Sequence, residues 1–326
     1  MKKDVRFDIL RVIGLICILL CHYASHIDSR LADGVHDVLA PMGNFIFFLI
    51  SGILMGMKWD ASGKAKHGVS FLVRCFKRIY YPLWWFLGLY FVIMCFAGVR
   101  VPLHSAVMNV FGGCWLSKMY GCGHLWFITL ILSFYAIVFV VSQWGGRKVV
   151  QCAIVVVCSA VLQWLLWTKG VKQAYIVAFW LPGCLMFLFN REFDMFVTWL
   201  KQRRIVATVL GLVLAALGYA GIVMLTDTDL IARSWIGAFC GVMLIAIFLA
   251  WCRKDLNVPL IGFVSGISFD IYLSHSLLRF DTVRHACGND FVWFFVYIVG
   301  AFAIGASLKF SREKFLGLFA QRGCER

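Results

Sequence analysis

Apolar residues in this chain come in long blocks separated by short polar breaks. Blocks long enough to cross about 30 Å of hydrocarbon fall at 9–24, 43–57, 79–97, 124–144, 149–167, 174–190, 205–225, 234–251, 258–279 and 291–310. The pattern predicts ten membrane-spanning helices, hence an all-α polytopic membrane protein packed as one bundle, with 1–326 as a single domain. The second block is short. Ser105 to Lys118 makes a doubtful half-span, which this reading leaves outside the membrane. Residues 25–42 read as a polar outer loop, because they carry His26, Asp28, Arg30, Asp33, His36 and Asp37.

Composition agrees with the pattern. Hydrophobic residues make up 62% of the chain and charged ones 14%, against about 45–50% and about 25% in soluble domains. A net charge of +15 would point to nucleic acid in a soluble protein. Its distribution points elsewhere. Most of the 31 Lys and Arg fall in alternate breaks, at 2–11, 58–78, 147–148, 191–204, 253–254 and 309–326. Ten spans put both termini on one side, and the positive-inside rule makes that side cytoplasmic. The charge is therefore a topology signal, nucleic acid is not an expected partner, and the expected location is the inner (cytoplasmic) membrane. Asp8 and Arg11 interrupt the first apolar run, so it reads as a retained span rather than a cleaved signal. The 13 cysteines sit mostly inside apolar runs with no CxxC pair, which indicates neither a metal site nor a disulfide framework. Cys114 and Cys122 share one segment and are either a pair or two free thiols.

The first span carries the most informative polar residues. Asp8, Arg11, Leu15, Ile18 and His22 recur every three or four positions and share one face. A central Arg in a spanning helix costs roughly 2.5 to 3.5 kcal/mol on insertion scales, so the stripe is expected to face protein or water. Asp8 is placed to orient Arg11 as an i,i+3 pair. The plainer alternative has Arg11 snorkelling to headgroups and His22 bonding a neighbouring helix.

Further along, Lys58, Lys64, Lys66, Arg74, Lys77 and Arg78 lead into Ile79-Tyr80-Tyr81-Pro82. Arg74, Lys77 and Arg78 lie on about one helical turn. Such a rim binds anionic lipid headgroups or a phosphorylated small molecule. His124 and Trp126 open the fourth span, where they serve as belt residues or as part of a site. Asp270 lies about twelve residues into the ninth span, roughly 18 Å along its axis. An intramembrane carboxylate is a functional candidate by default, or else a partner for a cation or for Tyr272. Ser51 and Gly52 read as a point of close helix approach.

Five of these elements, in this order, resemble a known family: Arg6-x-Asp8-x-x-Arg11 with Arg11-x10-His22, then Phe47-Phe48-Leu49-Ile50-Ser51-Gly52, then the basic run into Arg78-Ile79-Tyr80-Tyr81-Pro82, then His124-Leu125-Trp126-Phe127, then Ile271-Tyr272-Leu273-Ser274-His275. Together they are similar to the acyltransferase 3 family of integral-membrane acyltransferases, many of which O-acetylate bacterial surface polysaccharides. The resemblance implies an acyl donor, usually acetyl-CoA, taken from the cytoplasm. It also implies an acceptor sugar at the outer side, on a glycan or its lipid-linked precursor, with membrane lipids as surroundings. It places the family's Arg-x10-His element on Arg11 and His22.

On that basis His22 is the expected catalytic base or acyl relay, with Arg11 and Asp8 beside it and His26 as its nearest rival. Arg74, Lys77 and Arg78 are expected to hold the donor's phosphates. His124, Trp126, Asp270, His275 and His26 are the expected acceptor contacts, with His124 and His275 outside the proton-transfer role. The resemblance departs at one place. The family's Arg-x-x-Arg falls on Cys75 and Arg78 if aligned on Arg-Ile-Tyr, or becomes Arg74-x-x-Lys77 if shifted. A competing function is a transporter of a sugar or organic acid that uses the polar stripe as its path. No inverted repeat and no broken pair of helices in the sequence supports that alternative.

Overall fold

A computed structural model describes residues 4–61, 69–143, 148–168, 181, 190–224, 230–253 and 258–324. Among these the chain forms helices and turns with no strand. The helices are α1 (Val5–Ala24), α2 (Arg30–Ala61), α3 (Val69–Phe96), α4 (Leu103–Val110), α5 (Trp126–Gln143), α6 (Lys148–Thr168), α7 (Asn190–Gln202), α8 (Arg204–Met224), α9 (Leu230–Trp251), α10 (Pro259–Ser274), α11 (Asp281–Ala286) and α12 (Asp290–Cys324). Nine stretches among the described residues are long and apolar enough to cross a membrane. They match nine of the ten blocks read from the sequence. The sixth block, 174–190, lies outside the described residues apart from Leu181 and Asn190, as do Lys2, Lys3, Lys64, Lys66, Arg147, Lys254 and Arg326.

The chain divides into two compact units. The first holds residues 1–66 and 141–265. Its α1 and α2 form an antiparallel hairpin that closes where two glycines meet: a Cβ on Gly43 would sit 3.0 Å from the Gly14 carbonyl oxygen and 3.0 Å from Ile18. On the other side of α2 lies α9, through Gly237 and Gly241, a small-xxx-small spacing that lets helix backbones approach. A Cβ on Gly237 would fall 2.3 Å from the Pro41 ring and 2.9 Å from the Asp37 carbonyl oxygen. Pro41 stands inside α2 and cannot donate to that carbonyl, so the glycine of α9 fits against the turn the proline leaves.

The second span is not short, and of the expected loop 25–42 only 25–29 lie outside helix. The helix starts at Arg30 and runs for 32 residues. Ser29 caps it, its hydroxyl accepting from the Ala32 amide at 3.1 Å. The polar residues that suggested a loop belong to a helix end whose Asp37 is ion-paired with Arg233 of α9. Apolar-run length underestimates a helix whose end is held by charge pairs.

The second unit holds residues 67–140 and 266–326, so α10 contributes its first turns to one unit and the remainder to the other. Within it, α12 crosses α10 at Gly305, where a Cβ would lie 2.5 Å from the Ile271 side chain. Residues 98–123 do not stay outside. They run back along α3: Trp84 Nε1 donates to the Val110 carbonyl at 2.8 Å, the Tyr80 hydroxyl to Phe111 at 2.9 Å, and the Tyr90 hydroxyl to Tyr120 at 2.9 Å. Tyr80 and Tyr90 both belong to the apolar spanning stretch of α3 and are about 15 Å apart along its axis. The segment is therefore re-entrant at membrane depth.

Irregular backbone at that depth must find its hydrogen bonds inside the protein, and here side chains supply them. Asn109 Nδ2 donates to the carbonyls of Ser105 and Ser117 at 2.8 and 2.7 Å. The Thr129 hydroxyl donates to Gly112 at 2.7 Å and accepts from the Trp115 amide at 3.0 Å. Gly112 has a φ of 78°, and a Cβ there would lie 2.4 Å from Leu132. A periodicity reading misses this element because only eight residues of it are helical and its partners lie on other helices.

Candidate active site

In the first unit the predicted stripe of α1 faces inward. Leu15 and Ile18 are buried, Asp8 is 5% exposed, and Arg11 and His22 are half-buried. Asp8 and Arg11 form the expected i,i+3 pair at 3.2 Å. A third member, absent from the sequence reading, completes it. The Ser265 hydroxyl donates to Asp8 Oδ1 at 2.7 Å and accepts from Arg11 at 2.8 Å. Arg11 is thus fixed to α10 rather than left to snorkel alone. Nothing in the sequence signals a contact across 257 positions.

His22 stands in the last turn of α1, whose end is closed by the Ser25 hydroxyl donating to the His22 carbonyl at 2.9 Å. Arg11 and His22 are about 16 Å apart along the axis. The Gly14–Gly43 crossing sets the hairpin's register, which brings His22 about level with residues 35–37 of α2. There His36 Nδ1 lies 3.0 Å from Asp37, and Asp37 is paired with Arg233. His26 is half-buried in the turn after α1, its amide bonded to the Tyr23 carbonyl at 3.1 Å.

The second unit collects two of the proposed acceptor contacts. The rings of His124 and His275 lie edge to face with centroids 4.7 Å apart, both buried, with Tyr272 beside them. His124 Nε2 is 3.1 Å from the Leu273 carbonyl and His275 Nδ1 is 2.6 Å from the Tyr272 carbonyl. A carbonyl only accepts, so each ring carries its proton on that nitrogen, which leaves Nδ1 of His124 as an acceptor. The Tyr272 hydroxyl in turn donates to the His124 carbonyl. Trp126 faces Trp115 instead, with centroids 5.6 Å apart. Asp270 is not in the histidine cluster. It is buried and paired with Arg312 of α12, whose second nitrogen reaches Oδ2 at 3.1 Å. Of the two sequence readings for Asp270, the geometry shows the cation partner. Arg312 was legible only as one more basic residue of the tail.

Arg74, Lys77 and Arg78 are all exposed on one turn of α3, while Cys75 between them is buried. The exposed cations thus follow the shifted spacing, Arg74-x-x-Lys77, with Arg78 added. Cys114 and Cys122 are free, buried thiols.

A many-spanned helical membrane protein with histidines and paired charges along its spans belongs among integral-membrane enzymes and carriers. The comparison with family models separates these two. The model described as an acyltransferase domain matches residues 4–309, and the chain belongs to the acyltransferase 3 family. It is a multi-pass membrane acyltransferase, which selects the enzyme over the sugar or organic-acid transporter. No curated protein and no solved structure matches the chain.

Proposed function

We propose that this acyltransferase takes an acetyl group from cytoplasmic acetyl-CoA and delivers it to a sugar hydroxyl of a surface glycan or its lipid-linked precursor, the whole chain acting as one domain. His22 acts as the base that takes the hydroxyl proton, or as the acyl relay. Acyl transfer to a hydroxyl needs such a base near neutral pH, and imidazole titrates there. The observation that carries this reading is the α1 stripe, with Arg11 held by Asp8 and Ser265 near one end and a half-buried His22 near the other. His124, whose Nδ1 is left as an acceptor, and His275 are read as acceptor contacts, as are Trp126, Asp270 and, in the first unit, His26.

Arg74, Lys77 and Arg78 hold the donor's phosphates in this reading, supported by their exposure on a single turn at the entrance of α3. Changing all three to Gln is expected to weaken acetyl-CoA binding roughly tenfold to a hundredfold, the sum of three solvent-screened attractions, with helicity unchanged. Equilibrium binding of labelled acetyl-CoA to the purified protein checks it, and unchanged affinity would remove the cluster from the donor site.

The protein sits in the inner membrane with both termini cytoplasmic. Single cysteines introduced at residues 58–78 are expected to resist impermeant thiol reagents in intact cells, and those at 30–37 to label. The reverse pattern would invert the orientation.

A further inference from the structure

The second unit contains a groove of about 750 Å³ between α3 and α12, lined by Trp84, Trp85, Gly88, Leu89 and, from α12, residues 303–311. Its lining is apolar apart from the hydroxyls of Ser307 and, at one end, Ser311, which accepts from Trp85 Nε1 at 2.7 Å. A Cβ added at Gly88 would meet nothing within 4 Å, so the groove is open at its centre. Both helices here belong to apolar spanning stretches, and the groove lies at membrane depth.

Charge marks one end of it. On α3, positions 74, 78, 81, 85 and 88 recur every three or four residues, so Arg74 and Arg78 share the face of Trp85 and Gly88. On α12, positions 303, 307, 311 and 314 do the same, which sets Lys314 on the groove face one turn past Ser311. Arg78 and Lys314 are both exposed. The two tryptophans stand between the cations and the apolar part, the order of a headgroup region, an aromatic belt and hydrocarbon.

We infer that this groove binds an anionic phospholipid of the surrounding leaflet, with one acyl chain along Gly88, Leu89 and Ile304 and its phosphate against Lys314, leaving Arg78 to the proposed donor site. The match is one of charge and polarity together. The site offers cations at a single end, the amphipathic rings of Trp84 and Trp85 at the level of the ester region, and hydrocarbon beyond. The occupant lies beside the donor site, and Lys314 takes no part in the proposed donor binding. That the leaflet is the cytoplasmic one rests on the orientation proposed above.

The test uses the full-length protein in phosphatidylcholine vesicles doped with a minor fraction of diazirine-bearing phosphatidylglycerol, or with the same probe on phosphatidylcholine. After illumination, labelled peptides are mapped by mass spectrometry. Phosphatidylglycerol is expected to label peptides covering 84–89 and 303–311 several-fold more than phosphatidylcholine. Lys314→Gln is expected to reduce that labelling about fivefold, the loss of one lysine–phosphate attraction near a membrane surface. Gly88→Phe, whose Cβ meets nothing within 4 Å and whose ring projects into the groove, is expected to bring it to the phosphatidylcholine level. Acetyl-CoA binding, measured in parallel, stays intact in both variants, so failure here is distinct from failure of the donor reading. Equal labelling by the two probes, or an excess that survives both substitutions, overturns the inference. So does displacement of the probe by acetyl-CoA, which would make the groove part of the donor site.

Discussion

His22→Ala is expected to lower acyl transfer at least a hundredfold, with membrane insertion and acetyl-CoA binding retained. A positioned general base contributes roughly 10²- to 10⁴-fold, and an acyl relay contributes more, because no route remains without it. The side chain is half-buried at the end of α1, whose close approach to α2 is made at Gly14, Ile18 and Gly43. Retained insertion and donor binding would separate loss of chemistry from loss of fold. His26→Ala is the matched control and should keep measurable activity. His36→Ala is the informative companion, because His36 and Asp37 are about level with His22. Transfer rate and donor affinity measured on the same preparations separate chemistry from binding. A His22→Ala protein with near-normal transfer would remove the residue from the mechanism.

The second large effect is on stability. Asp270 is 2% exposed, and its carboxylate is held by Arg312. Removing one partner of a buried pair leaves an uncompensated charge, which costs about 3–5 kcal/mol in proteins studied this way. Arg312→Ala is expected to lower Tm sharply and reduce the yield of folded protein, whereas Lys314→Gln one turn-edge away should leave Tm unchanged. The double variant Asp270→Asn, Arg312→Gln is expected to recover much of the loss, since it removes both charges and keeps hydrogen-bonding capacity. Thermal melts in detergent check all three. If Arg312→Ala melts like the wild type, the pair is not what holds α12 to α10.

These two cases also mark how much could be read from the sequence. Long apolar runs report spanning helices because hydrocarbon leaves a chain few other ways to satisfy its backbone, so most of the described spans emerge close to their observed limits, while the second and third start well before their apolar blocks. The pairing of Asp8 with Arg11 was legible because it is local, one helical turn apart. Asp270 was legible as costly, and so as meaningful, but its partner lies 42 residues away on another helix. Ser265, Arg233 and Arg312 carry ordinary residue types, and only tertiary packing gives them their roles.

The errors have a common cause. The polar stretch 25–42 reads as a loop and Ser105 to Lys118 as a half-span left outside, whereas side-chain partners hold residues 30–42 as helix and the other segment along α3: Asp37 with Arg233 in the first, and Trp84, Tyr80, Asn109 and Thr129 in the second. Hydropathy measures what a segment would cost alone. It does not register what other helices supply. The histidine pair follows the same rule: His124 and His275 were each visible, but not their approach to 4.7 Å.

The most direct test of the central claim supplies acetyl-labelled acetyl-CoA to the cytoplasmic face of inverted membrane vesicles carrying the protein, with no ion gradient imposed. Free CoA thiol is expected to appear in step with label on glycan or lipid-linked sugar, in wild-type vesicles and not in His22→Ala vesicles. Label reaching the glycan equally in both, or no thiol released while acceptor is present, would contradict it.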